Sequence, residues 1–242
     1  MIEKINSYKD FLNGNGSGDP LRAAIEVEFT GRIVLVSSFG AEAAILLHRV
    51  ARINPDLPVI FLDTGRVFGE TLRYRDELTA LLGLTDVRTV RPLPETEKRE
   101  DRDGTLWMSR PDACCYFRKV EPLQRALKGA DAWISGRKRH HGGARSMLPL
   151  REMADGRTKI NAMADWNPAM IEAYRAKHGL PPHPLVADGF ASIGCLPCTT
   201  RVAPQGAPRS GRWAGSARTE CGIHLPLRES HISVVTVPEP YG

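Results

Sequence analysis

Five cysteines fall into three groups: the adjacent pair Cys114-Cys115, the segment Cys195-Leu196-Pro197-Cys198, and a lone Cys221 within Glu220-Cys221-Gly222-Ile223-His224. Two pairs supply four thiolates, the complement that an iron–sulfur cluster or a structural zinc takes. The fifth sulfur is then left over, and an unpaired thiol close to basic residues is a candidate nucleophile. Adjacent cysteines make an awkward zinc half-site, because zinc ligands are spaced by roughly two to four residues. They suit a cluster, where different irons accept each sulfur. A vicinal disulfide or two inert core thiols is the plainer alternative for the pair, and a surface thiol for Cys221. A free thiol titrates at about 8.5, so Cys221 needs nearby arginines or a protonated His224 to become a thiolate at neutral pH.

Net charge is +5 and the isoelectric point about 9.1. The basic residues gather where the cysteines are: Arg118-Lys119 beside the first pair, Arg137-Lys138-Arg139 with Arg145 beyond, and Arg201, Arg209, Arg212 and Arg218 ahead of Cys221. Charge that tracks reactive sulfurs points to a small polyanionic ligand rather than a nucleic acid. A nucleic-acid module with a structural metal would interleave aromatics with its basic residues for stacking, and aromatics are only 7% of the chain. No apolar run reaches membrane-spanning length and the N-terminus has no hydrophobic signal core, so a cytoplasmic protein with no membrane partner is expected. An odd number of cysteines agrees with a reducing compartment.

Several elements must position these groups. A helix is expected within residues 1–30, with Asp19-Pro20 as cap and first turn. The β-branched run Arg32–Ser37 reads as a buried strand and is followed by a helix over 41–53. Val59–Leu62, Val87–Val90 and Trp133–Gly136 read as further strands, with a helix over 68–82. Residues 160–174 hold a short strand and a helix capped near Asn167-Pro168. Strand–helix alternation at this spacing predicts an α/β fold built on a mainly parallel sheet. From Pro181 onward prolines and glycines leave little room for regular structure. Two parts are therefore expected: a nucleotide-binding α/β domain over 1–180, and a Pro/Gly-rich segment over 181–242 that carries Cys195-x-x-Cys198 and, from Gly206, a mobile tail with Cys221.

Ligands of open parallel sheets sit beyond the carboxyl ends of strands. Ser37-Ser38-Phe39-Gly40-Ala41-Glu42 enters a helix there, offering backbone N–H groups, that of Gly40 among them, and the Ser37 and Ser38 hydroxyls to phosphate oxygens. An ordinary connection would look the same. The neighbouring strand end, Leu62-Asp63-Thr64-Gly65-Arg66, adds a carboxylate, a hydroxyl, a glycine and an arginine at the same edge, with Asp63 as a simple helix cap the duller alternative.

Taken together, these segments resemble the assimilatory sulfonucleotide reductases of the iron–sulfur type, which reduce adenosine 5′-phosphosulfate (APS). The likeness rests on Cys114-Cys115-Tyr116-Phe117-Arg118-Lys119, Ser135-Gly136-Arg137-Lys138-Arg139, Ser192-Ile193-Gly194-Cys195-Leu196-Pro197-Cys198-Thr199 and Glu220-Cys221-Gly222-Ile223-His224, together with the two strand-end loops. The resemblance implies an adenine nucleotide α-hydrolase-like, Rossmann-like fold. It implies a [4Fe–4S] cluster on Cys114, Cys115, Cys195 and Cys198, with Lys119 between cluster and substrate. Cys221 would attack the sulfonate sulfur, expel AMP and form an S-sulfonate that thioredoxin or glutaredoxin resolves to sulfite. Arg137, Arg139 and Arg145, with Arg209, Arg212 and His224 from the C-terminal segment, would face the phosphosulfate. A homo-oligomer is compatible with this picture.

The chain departs from the family pattern at Ala43, at Lys138-Arg139-His140-His141 and at Trp213-Ala214-Gly215. Reduction of 3′-phosphoadenosine 5′-phosphosulfate (PAPS), alone or besides APS, is the nearest alternative, since the surplus of cations would accommodate a 3′-phosphate. An ATP-pyrophosphatase on a similar fold is disfavoured because Phe39 interrupts the glycine pair such enzymes carry.

Overall fold

The computed structural model describes residues 19–215 and 218–225. The expected helix of the first 30 residues lies partly outside that range. What is described is α1 (Pro20–Ala23), whose first turn is capped by the Asp19 carboxylate on the Leu21 N–H, continued by a wider π turn over Ala24–Glu28. The chain then alternates: β1 (Ile33–Val36), α2 (Ala43–Ala51), β2 (Val59–Leu62), α3 (Gly69–Leu82) and β3 (Val87–Val90). Three short helices follow, α4 (Pro94–Glu100), α5 (Leu106–Ser109) and α6 (Pro111–Cys115). A π turn over Tyr116–Val120 leads into α7 (Glu121–Ala126), and β4 (Ala132–Ser135), β5 (Arg151–Ala154), β6 (Arg157–Asn161) and α8 (Pro168–Lys177) complete the regular elements.

The six strands lie in the order β3-β2-β1-β4-β6-β5, parallel except for the edge strand β5. Strand residues alternate between two apolar layers, as the pleat requires. Ile33, Leu35, Val59, Phe61 and Ile134 pack with α2, α3 and α8 on one face. Val34, Ile60, Leu62 and Trp133 pack with Leu123 and Leu127 on the other. Successive connections run one way from β1 to β2 and the other way from β4 to β6. The reversal between β1 and β4 leaves a crevice at their carboxyl ends, the place such sheets offer a ligand.

The antiparallel hairpin β5–β6 was not legible as two strands: the sequence placed one short strand after residue 160, whereas β6 begins at Arg157. Its turn is Asp155-Gly156 with both residues at positive φ (51° and 76°), the left-handed pair that a two-residue hairpin needs. Arginine, glutamate and lysine on these strands mask the alternation, because several of them are used in the interior rather than exposed to solvent.

One buried group makes stability depend on pH. His183 is fully buried, accepts the Leu185 N–H at Nδ1 (3.2 Å) and lies 3.0 Å from Thr71 Oγ1 at Nε2. Burial holds its pKa down at about 4. The unfolded chain therefore binds a proton that the fold refuses, so His183 contributes stability fully present above about pH 6.5 and lost as pH falls through about 4. The melting temperature is expected to drop over that window in the native protein, and to drop less in His183→Gln. Parallel profiles for the two would refute this assignment.

Candidate active site

The loop after β1 is pinned by Phe39, which adopts positive φ (47°) and buries its ring edge-on to Phe61, with centroids 5.6 Å apart. A bulky residue in the left-handed region is held there only by its surroundings. The anchored ring fixes Ser37, Ser38 and Gly40 at the crevice. Gly40 allows close approach: a Cβ there would meet the Ile193 carbonyl at 3.2 Å. The wall of the crevice takes in Ser37, Ser38, Gly40, Leu62 and Thr64 from the strand ends, Lys119, Arg137 and Arg145, and Arg209, Arg212, Cys221 and His224 from the C-terminal segment. Leu35, Leu46, Phe61 and Met163 add apolar surface to the same wall. Such a cleft takes a ligand with a flat apolar body and an anionic end.

The two cysteine pairs meet beside this crevice. Pro122, just inside α7, lacks an N–H, and its ring would crowd the carbonyl of residue 118 in a regular helix. The backbone widens into the π turn over Tyr116–Val120, a distortion that often marks functional sites. Lys119 is thereby turned towards the sulfurs, while Arg118 is buried the other way, donating to the Thr64 carbonyl (2.7 Å) and to Asp101 (2.8 Å). The Cys195 loop is tied to the strand-end loop of β2: the Leu196 N–H donates to the Arg66 carbonyl (2.7 Å), and Thr64 Oγ1 lies 3.3 Å from Cys195 Sγ. Burial, together with the neighbouring Cys195, Asp101 and Cys198, pushes Cys114 up to about 11, and burial with Cys195 raises Cys198. Thiols crowded in this way become thiolates when a cationic centre joins them.

All five cysteines are free. No three of their sulfurs lie within 4.8 Å of one another among the described residues. A single zinc with bonds of about 2.3 Å would need its sulfurs about 3.8 Å apart. A trio of Glu42, His140 and His141 does gather within 4.8 Å. Two of its members have other partners as well: Lys138 Nζ stands 2.8 Å from Glu42, and Arg145 lies 3.2 Å from His141 Nδ1.

Cys221 is buried in the wall of the crevice and shares a hydrogen bond with Cys115. Gly222 makes that approach possible, since a Cβ there would meet Val120 at 3.1 Å and the Cys115 Cβ at 3.4 Å. The Cys115 hydrogen bond, working against burial and joined by Lys119, the Ile223 N–H and Arg212, holds Cys221 well below the usual thiol range. Burial alone would lower Lys119, but the neighbouring sulfurs of Cys195, Cys221 and Cys115 more than offset it and raise its pKa, so its ammonium persists. Burial pushes His224 well below the usual imidazole range, with Lys159 and Arg137 adding to the effect. It is neutral, and its ring lies parallel to Trp133.

Six cations line the crevice (Lys119, Arg137, Lys138, Arg145, Arg209, Arg212) against one lining carboxylate, Glu42. Arg137 is braced from behind by Glu152 and Asn161, and Arg145 by Glu220. Burial pushes both Arg137 and Arg209 down to about 10, and the nearby Arg145 pushes in the same direction. The crevice is short of negative charge even with its own carboxylates in place, the condition an anionic ligand relieves.

Not every residue expected at the site reaches the wall. Asp63 caps the Gly65 N–H (3.0 Å) and pairs with Arg91 (2.8 Å). Arg66 donates to the Gly104 carbonyl (3.0 Å), and Arg139 turns to the Leu148 carbonyl (2.7 Å) and Asp165. These residues and Gly65 shape the loops from outside the crevice. Of the expected tail, residues 206–215 and 218–225 lie within the described range and 226–242 outside it. Glu220 and Lys138 were not singled out as site residues, because their partners lie far off in sequence: Arg145 is 75 positions from Glu220.

Comparison with known proteins agrees with this geometry. Residues 32–201 match the phosphoadenosine phosphosulfate reductase domain. An adenosine 5′-phosphosulfate reductase of Chelativorans sp. (strain BNC1) is 50% identical over 83% of this chain and 82% of its own. A phosphoadenosine 5′-phosphosulfate reductase of Alkalilimnicola ehrlichii is 41% identical over 81% of each. Among solved structures, phosphoadenylyl-sulfate (PAPS) reductase from Candida auris superposes with a TM-score of 0.65 at 25% identity, covering 80% of this chain and 96% of that one. The sheet is that of the adenine nucleotide α-hydrolase-like fold. With residues 32–201 matched and relatives at this identity spanning most of their own length, the chain belongs to the phosphoadenosine phosphosulfate reductase family.

Proposed function

We propose that this protein reduces adenosine 5′-phosphosulfate to sulfite and AMP in sulfate assimilation, with Cys221 as nucleophile. The observation that carries the reading is the position of Cys221: a buried thiol in the wall of a cation-rich nucleotide crevice, beside an ammonium with no carboxylate partner among the described residues. Relatives that are 50% identical are adenosine 5′-phosphosulfate reductases, which favours APS over PAPS.

In the first step the Cys221 thiolate attacks the sulfonate sulfur. A bond forms between Sγ and that sulfur, the S–O bond to the phosphate breaks, and its electron pair leaves on AMP. A thiolate approaching a sulfonate meets repulsion from its oxygens, which Lys119 and Arg212 neutralise. AMP is a good leaving group, so no general acid is required. In the second step a thiolate of reduced thioredoxin or glutaredoxin attacks Cys221 Sγ and displaces sulfite. The partner's second thiol then releases Cys221, and the dithiol supplies both electrons.

Cys114, Cys115, Cys195 and Cys198 would hold a [4Fe–4S] cluster. When bound, such a cluster adds a delocalised charge whose potential responds to Lys119 and to the Thr64 hydroxyl at Cys195. With Cys115 so committed, Lys119, the Ile223 N–H and Arg212 remain to hold Cys221 as a thiolate.

PAPS reduction is the second reading, favoured by the 41% identical relative of that name. Anaerobically purified protein given limiting APS or PAPS with excess reduced thioredoxin tests both. Sulfite from APS with strong preference is expected. Comparable rates would make the enzyme dual-specific, and silence with both from iron-loaded protein would overturn the reductase reading.

A further inference from the structure

We propose that Glu220 is a positioning residue: its carboxylate latches the Cys221 segment into the crevice by closing on Arg145 and Arg209, and it stays closed when substrate binds. The role rests on Cys221 as nucleophile. Glu220 is 5% exposed and pairs with Arg145 through both oxygens, Arg145 Nη2 to Oε2 at 2.8 Å and Nε to Oε1. Arg209 stands 3.7 Å from the same carboxylate and donates to the Thr219 carbonyl at 3.0 Å. Two crevice arginines therefore grip the two residues immediately before the nucleophile.

Other contacts hold this stretch more loosely: Arg218 pairs with the exposed Asp112 (3.2 Å) and lies over the Trp213 ring. Beyond Cys221 itself, Ile223 touches the smaller apolar layer and the His224 ring lies 6.2 Å from that of Trp133. Gly222 fits closely but adds no side chain. Of the ion pairs described for this stretch, the one between Glu220 and Arg145 is buried at both partners, and removing one partner leaves the other charge buried and unpaired.

Glu220 grips Arg145 and Arg209 and leaves two other cations of the crevice wall unpaired. The charges of Lys119 and Arg212 both favour the Cys221 thiolate, and neither is ion-paired among the described residues; the Arg212 side chain donates to the Cys198 carbonyl (3.2 Å). These two remain open to the sulfonate, so substrate need not displace Glu220. A carboxylate that merely filled an empty anion site would have to leave before turnover.

The test compares the native holoenzyme with Glu220→Gln, Arg145→Gln and the double variant. Alkylation of Cys221 by iodoacetamide, followed by peptide mass spectrometry without substrate, is expected to accelerate about tenfold or more in Glu220→Gln as the segment opens. This readout does not depend on the reaction catalysed. In steady state kcat is expected to fall about 10- to 100-fold, the cost of a displaced reacting group, with KM changed less than about threefold. The double variant should alkylate no faster than either single one, because both remove the same contact. Glu220→Asp should recover part of the loss. An unchanged alkylation rate would overturn the latch, and so would a fall in KM with kcat preserved, which marks an anion-site plug. Retained activity in Cys221→Ser would instead overturn the nucleophile reading while leaving the alkylation result standing.

Discussion

Cys221→Ser is expected to abolish sulfite release, lowering turnover by about 10⁴-fold or more, while iron content and visible absorbance stay at native levels. The substitution changes one atom and keeps the size of the side chain. What it removes is the thiolate: a serine hydroxyl beside Lys119 stays protonated at neutral pH and has no bond to offer the sulfonate sulfur. The four cysteines proposed as cluster ligands, Cys114, Cys115, Cys195 and Cys198, are left in place. Loss of colour together with activity would make Cys221 a cluster ligand and invert the division of the five sulfurs.

Lys119→Ala is expected to lower turnover by about 10²- to 10³-fold, the usual cost of deleting one charge-stabilising group, with iron content nearly unchanged. Lys119 sits among Cys115, Cys195 and Cys221, and these sulfurs sustain its charge against burial. Its loss affects the reaction twice. Cys221 gives up its nearest ammonium and becomes a poorer thiolate at neutral pH, and the sulfonate loses a neutralising charge. The pH–rate profile of the variant should therefore rise to a higher apparent pKa than that of the native enzyme. Iron and activity falling in proportion would reduce Lys119 to a charge that holds the cluster in place.

The parallel core was legible in the sequence because its strands are short β-branched runs buried on both faces, as in Ile33–Val36 and Val59–Leu62. The cysteine segments were legible because their chemistry narrows the possibilities. The hairpin of residues 151–161 was not: its interior uses Lys159, over the Trp133 ring at 4.7 Å, and Arg137 held by Glu152, so charged residues stand where a pattern reading expects exposure. The basic residues were legible as a group but not one by one. Arg118 and Arg139 belong to the same clusters as Lys119 and Arg137, yet they are spent on Asp101 and Asp165. Only the π turn imposed near Pro122 and the folding of the strand-end loops decide which cation faces the crevice. Glu220 was hidden for a related reason, since its meaning comes from Arg145, a residue on a distant loop.

The most direct test of the account is intact and peptide mass spectrometry of the anaerobic holoenzyme after exposure to APS without any reductant. The account predicts one SO₃ added to Cys221, one AMP released per adduct, and loss of the adduct with sulfite release when reduced thioredoxin is supplied. AMP released with no adduct, or an adduct on any cysteine other than Cys221, would contradict it.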